Sequence, residues 1–252
     1  MKQEISTFGF QGVNKGKTIS SPLDSSLASL PIAWYDFSDA SSLTVNDDGT
    51  GGVPGNGGMI GRCKDKSGNA YHLKQAVDVQ RPTYNTALLN GLGGARFDGI
   101  DDSLLSPFVA GWNRTQTTFV VFKQITNVSG KRIIDGYYCN TGGVYQDGGK
   151  EVIIYAGAVG ASSQGLTIGL FNIGTFIISA NDSVIELSNG LNTGSNAAQG
   201  HDMGGLSVGN IGVGCSTNYS NIEVMEIVCF NVLLPIVDRR KIVDYLSNKY
   251  KL

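Results

Sequence analysis

Long hydrophobic runs are missing from this chain. Every apolar stretch in its 252 residues is short and broken by Gly, Asn, Asp or Ser, so none approaches the ~20 residues of a membrane-spanning helix. Charge is scarce as well: charged residues make up 16% of the chain, the formal net charge is −2, and no segment gathers Lys or Arg into a phosphate-binding surface. Membrane insertion and nucleic acid are therefore not expected. The opening MKQEISTFGFQG has no apolar core of signal-peptide type, which leads to the expectation of a soluble protein made in a cytoplasm.

Catalytic signatures are equally thin. The two histidines, His72 and His201, stand alone, and no H-E-x-x-H, G-x-S-x-G or G-x-x-x-x-G-K-[ST] pattern occurs. Glycoside hydrolysis needs two carboxylates roughly 5–10 Å apart. Of five glutamates only Glu223 and Glu226 are near neighbours, and positions three apart in a regular strand point to opposite faces, so this pair needs a bulge to flank one bond. No catalytic residue is assigned, and the chain is expected not to be an enzyme. Cys63, Cys139, Cys215 and Cys229 lie far apart with no C-x-x-C pair. Free buried thiols are the simplest reading; a Cys139–Cys215 bridge stays open if their Cα atoms come within ~7 Å.

What the chain does have is glycine, 35 residues of it, about twice the ~7% average share. Between the glycines lie apolar runs of strand length at 30–39, 95–98, 117–124, 131–136, 151–156, 166–171, 175–180, 183–188, 204–210 and 223–234. Ten or so such strands predict an all-β sandwich. The run TTFVVFKQ is apolar on both faces, Phe119 and Val121 against Val120 and Phe122, which marks a central strand. In 223–231 strict alternation puts Met225, Ile227 and Cys229 opposite Val224, Val228 and Phe230. Only the end is helical: Ile236, Val237, Ile242, Val243, Leu246 and Tyr250 form one stripe behind Pro235, with Lys249 and Lys251 at the negative end of the dipole. Residues 1–30 are polar and aperiodic and read as an arm with Phe8 and Phe10 as anchors, or as a short edge strand plus linker; residues 31–252 form the body.

Four motifs in order carry a family likeness: Trp34-Tyr35-Asp36, the Asp65–Asn69 turn, RPTY at 81–84 leading to Phe97-Asp98-Gly99 and Asp101-Asp102, and the strand 223–231 running into the terminal LSNKYKL. Over about 31–105 and 220–252 the chain resembles laminin-G-like, concanavalin-A-type lectin/glucanase jelly rolls of the sort found in bacteriophage virion proteins. The resemblance implies a jelly-roll β-sandwich with one C-terminal helix. Relatives of that architecture are sugar-binding modules, glycoside hydrolases or virion parts. The laminarinase-like hydrolases of the fold place Glu-x-Asp-x-x-Glu on one strand, and the central Asp is absent between Glu223 and Glu226.

Two kinds of site remain. Exposed aromatics stack on sugars, and Trp112, Tyr137, Tyr138, Tyr145 and Tyr219 lie in turn-rich surroundings, whereas Trp34 and Tyr35 suit the core. Asp98, Asp101 and Asp102 offer hard oxygen ligands for calcium, or else they build their own turn. The expectation is a non-enzymatic phage structural protein in the virion, a capsid decoration or tail appendage held partly by its arm. Its partners would be other virion proteins and, plausibly, further copies of itself. The alternative is a carbohydrate-binding module for host surface glycans, and a glycoside hydrolase comes third.

Overall fold

The computed structural model describes residues 27, 29–108, 115–149, 152–155, 159–163, 166–179, 183–187, 192–194, 204–210, 212–215 and 217–252. Two antiparallel sheets stack face to face, as the strand pattern predicts. In the first, the order is β15 (Asn192–Gly194), β14 (Val184–Leu187), β13 (Phe171–Ile178), β8 (Gln116–Gln124), β17 (Asn221–Phe230), β6 (Leu92–Asp98) and β5 (Thr83–Leu89), with β1 (Ala33–Asp36) also pairing β17. The second runs β12 (Val159–Ser163), β11 (Val152–Tyr155), β10 (Gly143–Gln146), β9 (Arg132–Gly136), β16 (Gly205–Val208), β7 (Leu104–Pro107), β4 (Leu73–Lys74), β3 (Arg62–Cys63) and β2 (Leu43–Thr44). Helix α1 (Ile236–Tyr250) covers the outer face of the first sheet, and among the described residues no helix is long and apolar enough to cross a membrane.

The two-faced strand β8 explains this layering. Val120 and Phe122 enter the core between the sheets with Phe97, Ile227 and Cys229, while Phe119 and Val121 pack under the helix with Ile242, Leu246 and Tyr250. Each such side chain gains about 1.5–3 kcal/mol from burial. Leu27, inside the expected arm, joins the cluster under the helix; Phe8 and Phe10 lie outside the described residues.

Three local expectations are corrected. Strand β17 carries a bulge between Val224 and Glu226, so Val224, Ile227 and Cys229 face the core and Met225, Val228 and Phe230 face the helix. The run 166–171 is not a strand: Gly169 sits at φ +86° in a turn, and β13 begins at Phe171. On α1 the stripe is Ile242, Leu246 and Tyr250, while Ile236 and Val237 are exposed at 49% and 60%.

The bulge also places Glu226 beneath the helix, where it meets Lys249. Lys249 Nζ lies 2.6 Å from Glu226 and 2.9 Å from Asp36, and Lys66 also pairs with Asp36 at 3.0 Å. Trp34 Nε1 and the Tyr250 hydroxyl each donate to Glu226 at 2.7 Å. Burial, then the Asp36 charge, push the Glu226 carboxyl up; burial works against Asp36 too, but Lys249, Ser38 and Lys66 hold it down. Lys249 is thus a clamp between strand and helix as well as a dipole partner. Lys249→Met leaves two buried carboxylates short of a cation and is expected to cost about 3 kcal/mol in urea unfolding at pH 7. The loss should shrink at acid pH, where Glu226 takes up a proton; an unchanged midpoint at pH 7 would reject the clamp.

Candidate functional site

The outer face of the second sheet can be followed residue by residue, because directly paired positions in an antiparallel ladder share a face. Ile153 opposes Tyr145, Tyr145 opposes Arg132, Asp135 opposes Ser207, Ser207 opposes Leu105, Leu105 opposes Lys74 and Lys74 opposes Arg62. Their neighbours Val144, Ile134, Val208, Leu104, Leu73 and Cys63 fill the core. An irregularity at Val144/Tyr145 adds Ile133 to the core as well, which leaves both Arg132 and Asp135 on the outer face.

These two charges form the centre of the candidate site. Arg132 is only 7% exposed; its guanidinium lies 4.4 Å from the Tyr145 ring centre and 6.0 Å from that of Tyr155. Its Nη2 donates to Asn140 Oδ1 at 2.6 Å, and its Nε is 3.6 Å from Asp135 Oδ2 without a hydrogen bond. Asp135, fully buried, accepts from the backbone N–H groups of Gly136 and Asn140 at 2.8 and 3.0 Å, and more loosely from Gly142 and Gly212. Burial pushes Asp135 up and Arg132 down, each opposed by the other's charge. Gly143 makes the seat: a Cβ there would stand 3.2 Å from Asp135 Oδ1 and 3.4 Å from the Arg132 side chain.

Of the aromatic candidates, Tyr145 lies directly on this pair and the others stand on adjoining segments. The backbone of Tyr219 forms a β-bridge with that of Arg132 and that of Tyr138 with Val213, and the Tyr137 and Tyr138 rings meet edge to face at 5.3 Å. Tyr138 is 55% exposed, and Tyr137, Tyr145, Tyr155 and Tyr219 are half-buried. A Cys139–Cys215 disulfide, Cα to Cα 5.9 Å, joins the turn after β9 to the loop that carries Tyr219; Cys63 and Cys229 are free buried thiols. The expectation of four free thiols is corrected for this pair. Trp112 lies outside the described residues. Sequence reasoning missed Arg132, Asp135, Gly143 and Tyr155; an Arg-x-x-Asp pair inside an apolar strand was the available signal.

Asp98, Asp101 and Asp102 do come together, with carboxylate oxygens within 4.8 Å of one another. Part of their capacity builds the turn: Asp98 N–H donates to Asp102 at 2.9 Å, and the N–H groups of Ile100 and Asp101 donate to Asp98. Burial pushes Asp102 up to about 7, with the Asp98 and Asp101 charges adding to it. Oxygens left over from these bonds suit a hard cation such as calcium.

Glu223 and Glu226 change standing. The bulge turns both to the helix side of the first sheet, so strand alternation no longer separates them. Both are buried, however, Glu223 against Arg96 and Lys123 and Glu226 against Lys249, Trp34 and Tyr250, so neither presents a carboxylate to a substrate.

No protein-family model matches the sequence, and no curated protein does. Among solved structures, the chain superposes on a Trypanosoma rangeli sialidase in complex with a difluoro-KDN with TM-score 0.59 at 11% identity, over 87% of this chain and 33% of that one. It superposes on a mutant GH54 α-L-arabinofuranosidase soaked with 4-nitrophenyl α-L-arabinofuranoside with TM-score 0.61 at 14% identity, over 83% and 61%. An arabinofuranosidase complexed with arabinofuranosyl-α-1,2-xylobiose gives TM-score 0.55 at 15% identity, over 72% and 49%. The chain thus spans about a third to three fifths of the length of these neighbours, and at such identities the likeness shows a β-sandwich fold. All three are carbohydrate-cleaving enzymes, which overturns the expectation of a non-enzymatic phage structural part; nothing in the comparisons bears on a virion.

Proposed function

We propose that this chain is the saccharide-engaging sandwich of a glycoside-hydrolase-type protein, with its sugar site on the outer face of the second sheet. The observation that carries the reading is the buried Arg132–Asp135 pair with the Tyr145 and Tyr155 rings against its guanidinium, while Tyr137, Tyr138 and Tyr219 stand on adjoining segments. Aromatic rings supply stacking faces, and a fixed guanidinium with a carboxylate beside it supplies donors and acceptors for hydroxyl groups. The neighbours' occupation with sugars agrees with this chemistry. The finer kinship to laminin-G-like, concanavalin-A-type jelly rolls belongs to the same proposal, supported by the two stacked sheets and the C-terminal helix.

A second reading, hydrolysis within this chain, is favoured by one observation. Asp102, raised to about 7, keeps part of its proton at neutral pH, and the carboxylate oxygens of the more exposed Asp98 and Asp101 lie within 4.8 Å, close to the ~5 Å between acid and nucleophile in a retaining mechanism, although Asp102 itself is only 6% exposed.

Titration calorimetry with arabino-oligosaccharides tests the binding reading. Tyr145→Ala should weaken binding by about 1 kcal/mol, roughly fivefold, and Gly143→Val should abolish it by displacing Arg132; full affinity in both variants would refute the site. For hydrolysis, release of nitrophenol from 4-nitrophenyl α-L-arabinofuranoside should vanish in Asp102→Asn. The same variant tests the titration. A carboxyl that titrates near 7 when folded and near ~3.9 when unfolded leaves stability untouched below pH 4 and erodes it as pH rises towards 7. Asp102→Asn should therefore melt higher than the parent above pH 7 and no higher at pH 4.

A further inference from the structure

Beyond Ser207 and Leu105 the same sheet face changes character. By strand alternation Arg62, Lys64, His72 and Lys74 all project outward, since Cys63 and Leu73 between them are in the core. Lys64 and Lys74 are exposed, and Arg62 and His72 are half-buried. Most other described cations in the chain are paired with carboxylates, yet among the described residues Arg62, Lys64 and Lys74 make no ion pair. Arg62 Nη1 donates to the backbone carbonyl of Asp48, which leaves its charge in place; the exposed Asp48 carboxylate, tied to Thr50, feels that charge without pairing with it.

The other nearby acid is already committed. Asp65 is buried and accepts from the N–H groups of Trp34, Ser67 and Tyr71 and from the Ser67 hydroxyl. His72 Nδ1 accepts from Asp65 N–H, so Nε2 is the remaining polar atom of the ring. Burial, then Arg62, Lys74 and Lys64, push the imidazole down against the pull of Asp65, which reports a locally positive field. Beside these groups opens a cleft of about 320 Å³ lined by Tyr71, His72, Lys74, Ser106 and Pro107, and the Tyr71 ring is backed by a stacked Phe108 at 4.7 Å.

We infer that Arg62, Lys64, His72 and Lys74 form a second subsite that takes the carboxylate or sulfate groups of an acidic polysaccharide. Three cations without an ion pair beside a cleft repel one another until an anion arrives, and the chain's net charge of −2 makes such a concentration local. Strands β10 and β4 are four ladder steps apart, about 19 Å at ~4.8 Å per step, so one extended sugar chain reaches from the Tyr145 platform to the cations. On the way Ser207 Oγ is committed to the Asn210 carbonyl at 2.9 Å, so Ser207 adds no cation or free hydroxyl to that path. This inference rests on the saccharide reading and specifies its substrate class.

The test compares oligogalacturonate with a neutral arabino-oligosaccharide of equal length, by titration calorimetry on the parent, on Lys64→Ala/Lys74→Ala and on Tyr145→Ala. Both substituted lysines are exposed, so the fold is spared. The acidic sugar should bind more tightly than the neutral one, lose roughly three- to tenfold in affinity in the double lysine variant and weaken with salt, while the neutral sugar responds to neither the lysine changes nor salt and loses about fivefold in Tyr145→Ala. Equal affinity for both sugars, with no response to the lysine changes, overturns the acidic subsite and leaves the Tyr145 site standing. Binding of neither sugar removes the saccharide reading and this inference with it.

Discussion

A ladder with no wet face runs through the molecule, formed by β8 and β17, and both layers of packing depend on it. One side supplies the centre of the inter-sheet core and the other the bed for α1. The bulge at Met225 makes the arrangement possible, because one extra residue exchanges the faces of β17 midway and sets Glu226 under the helix rather than in the apolar core. Without that exchange a buried carboxylate would have no cation within reach, and Lys249 and Tyr250 would have nothing to hold.

Because the helix occupies one outer face, polar chemistry has room on the other. There the second sheet alternates strictly enough that a row of side chains, from Tyr145 to Arg62, can be laid out from ladder partners alone. The cost of burying Arg132 and Asp135 is offset by their mutual charge, by amides and by stacked tyrosines. Such a pair holds its geometry without help from a ligand.

The fold was largely readable in the sequence because period-2 patterning and glycine-rich turns are local signals; β8, β14 and α1 follow directly from them. The β17 bulge was not, since Val224-Met225-Glu226 contains no glycine and its irregularity is imposed by partners on both sides. Tyr137, Tyr138, Tyr145 and Tyr219 were found by residue type and surroundings, but their convergence depends on β9 and β16 pairing across some seventy residues of chain. Arg132 and Asp135 escaped notice because a charged pair in a short strand reads as solvated until the ladder shows what covers it. Leu166 to Leu170 misled in the other direction, an apolar run with a turn at its centre.

The Cys139–Cys215 link also acts on the chain as a whole. It spans a sequence separation of 76 and so encloses β10 through β16 in one covalent ring, with β13, β14 and β15 from the first sheet and the other four from the second. Closing a ring of that size removes about 4 kcal/mol worth of freedom from the unfolded chain on a chain-entropy view. The seven strands inside the ring therefore have fewer ways to come apart than the short β2, β3 and β4 outside it, independent of how well any of them pack.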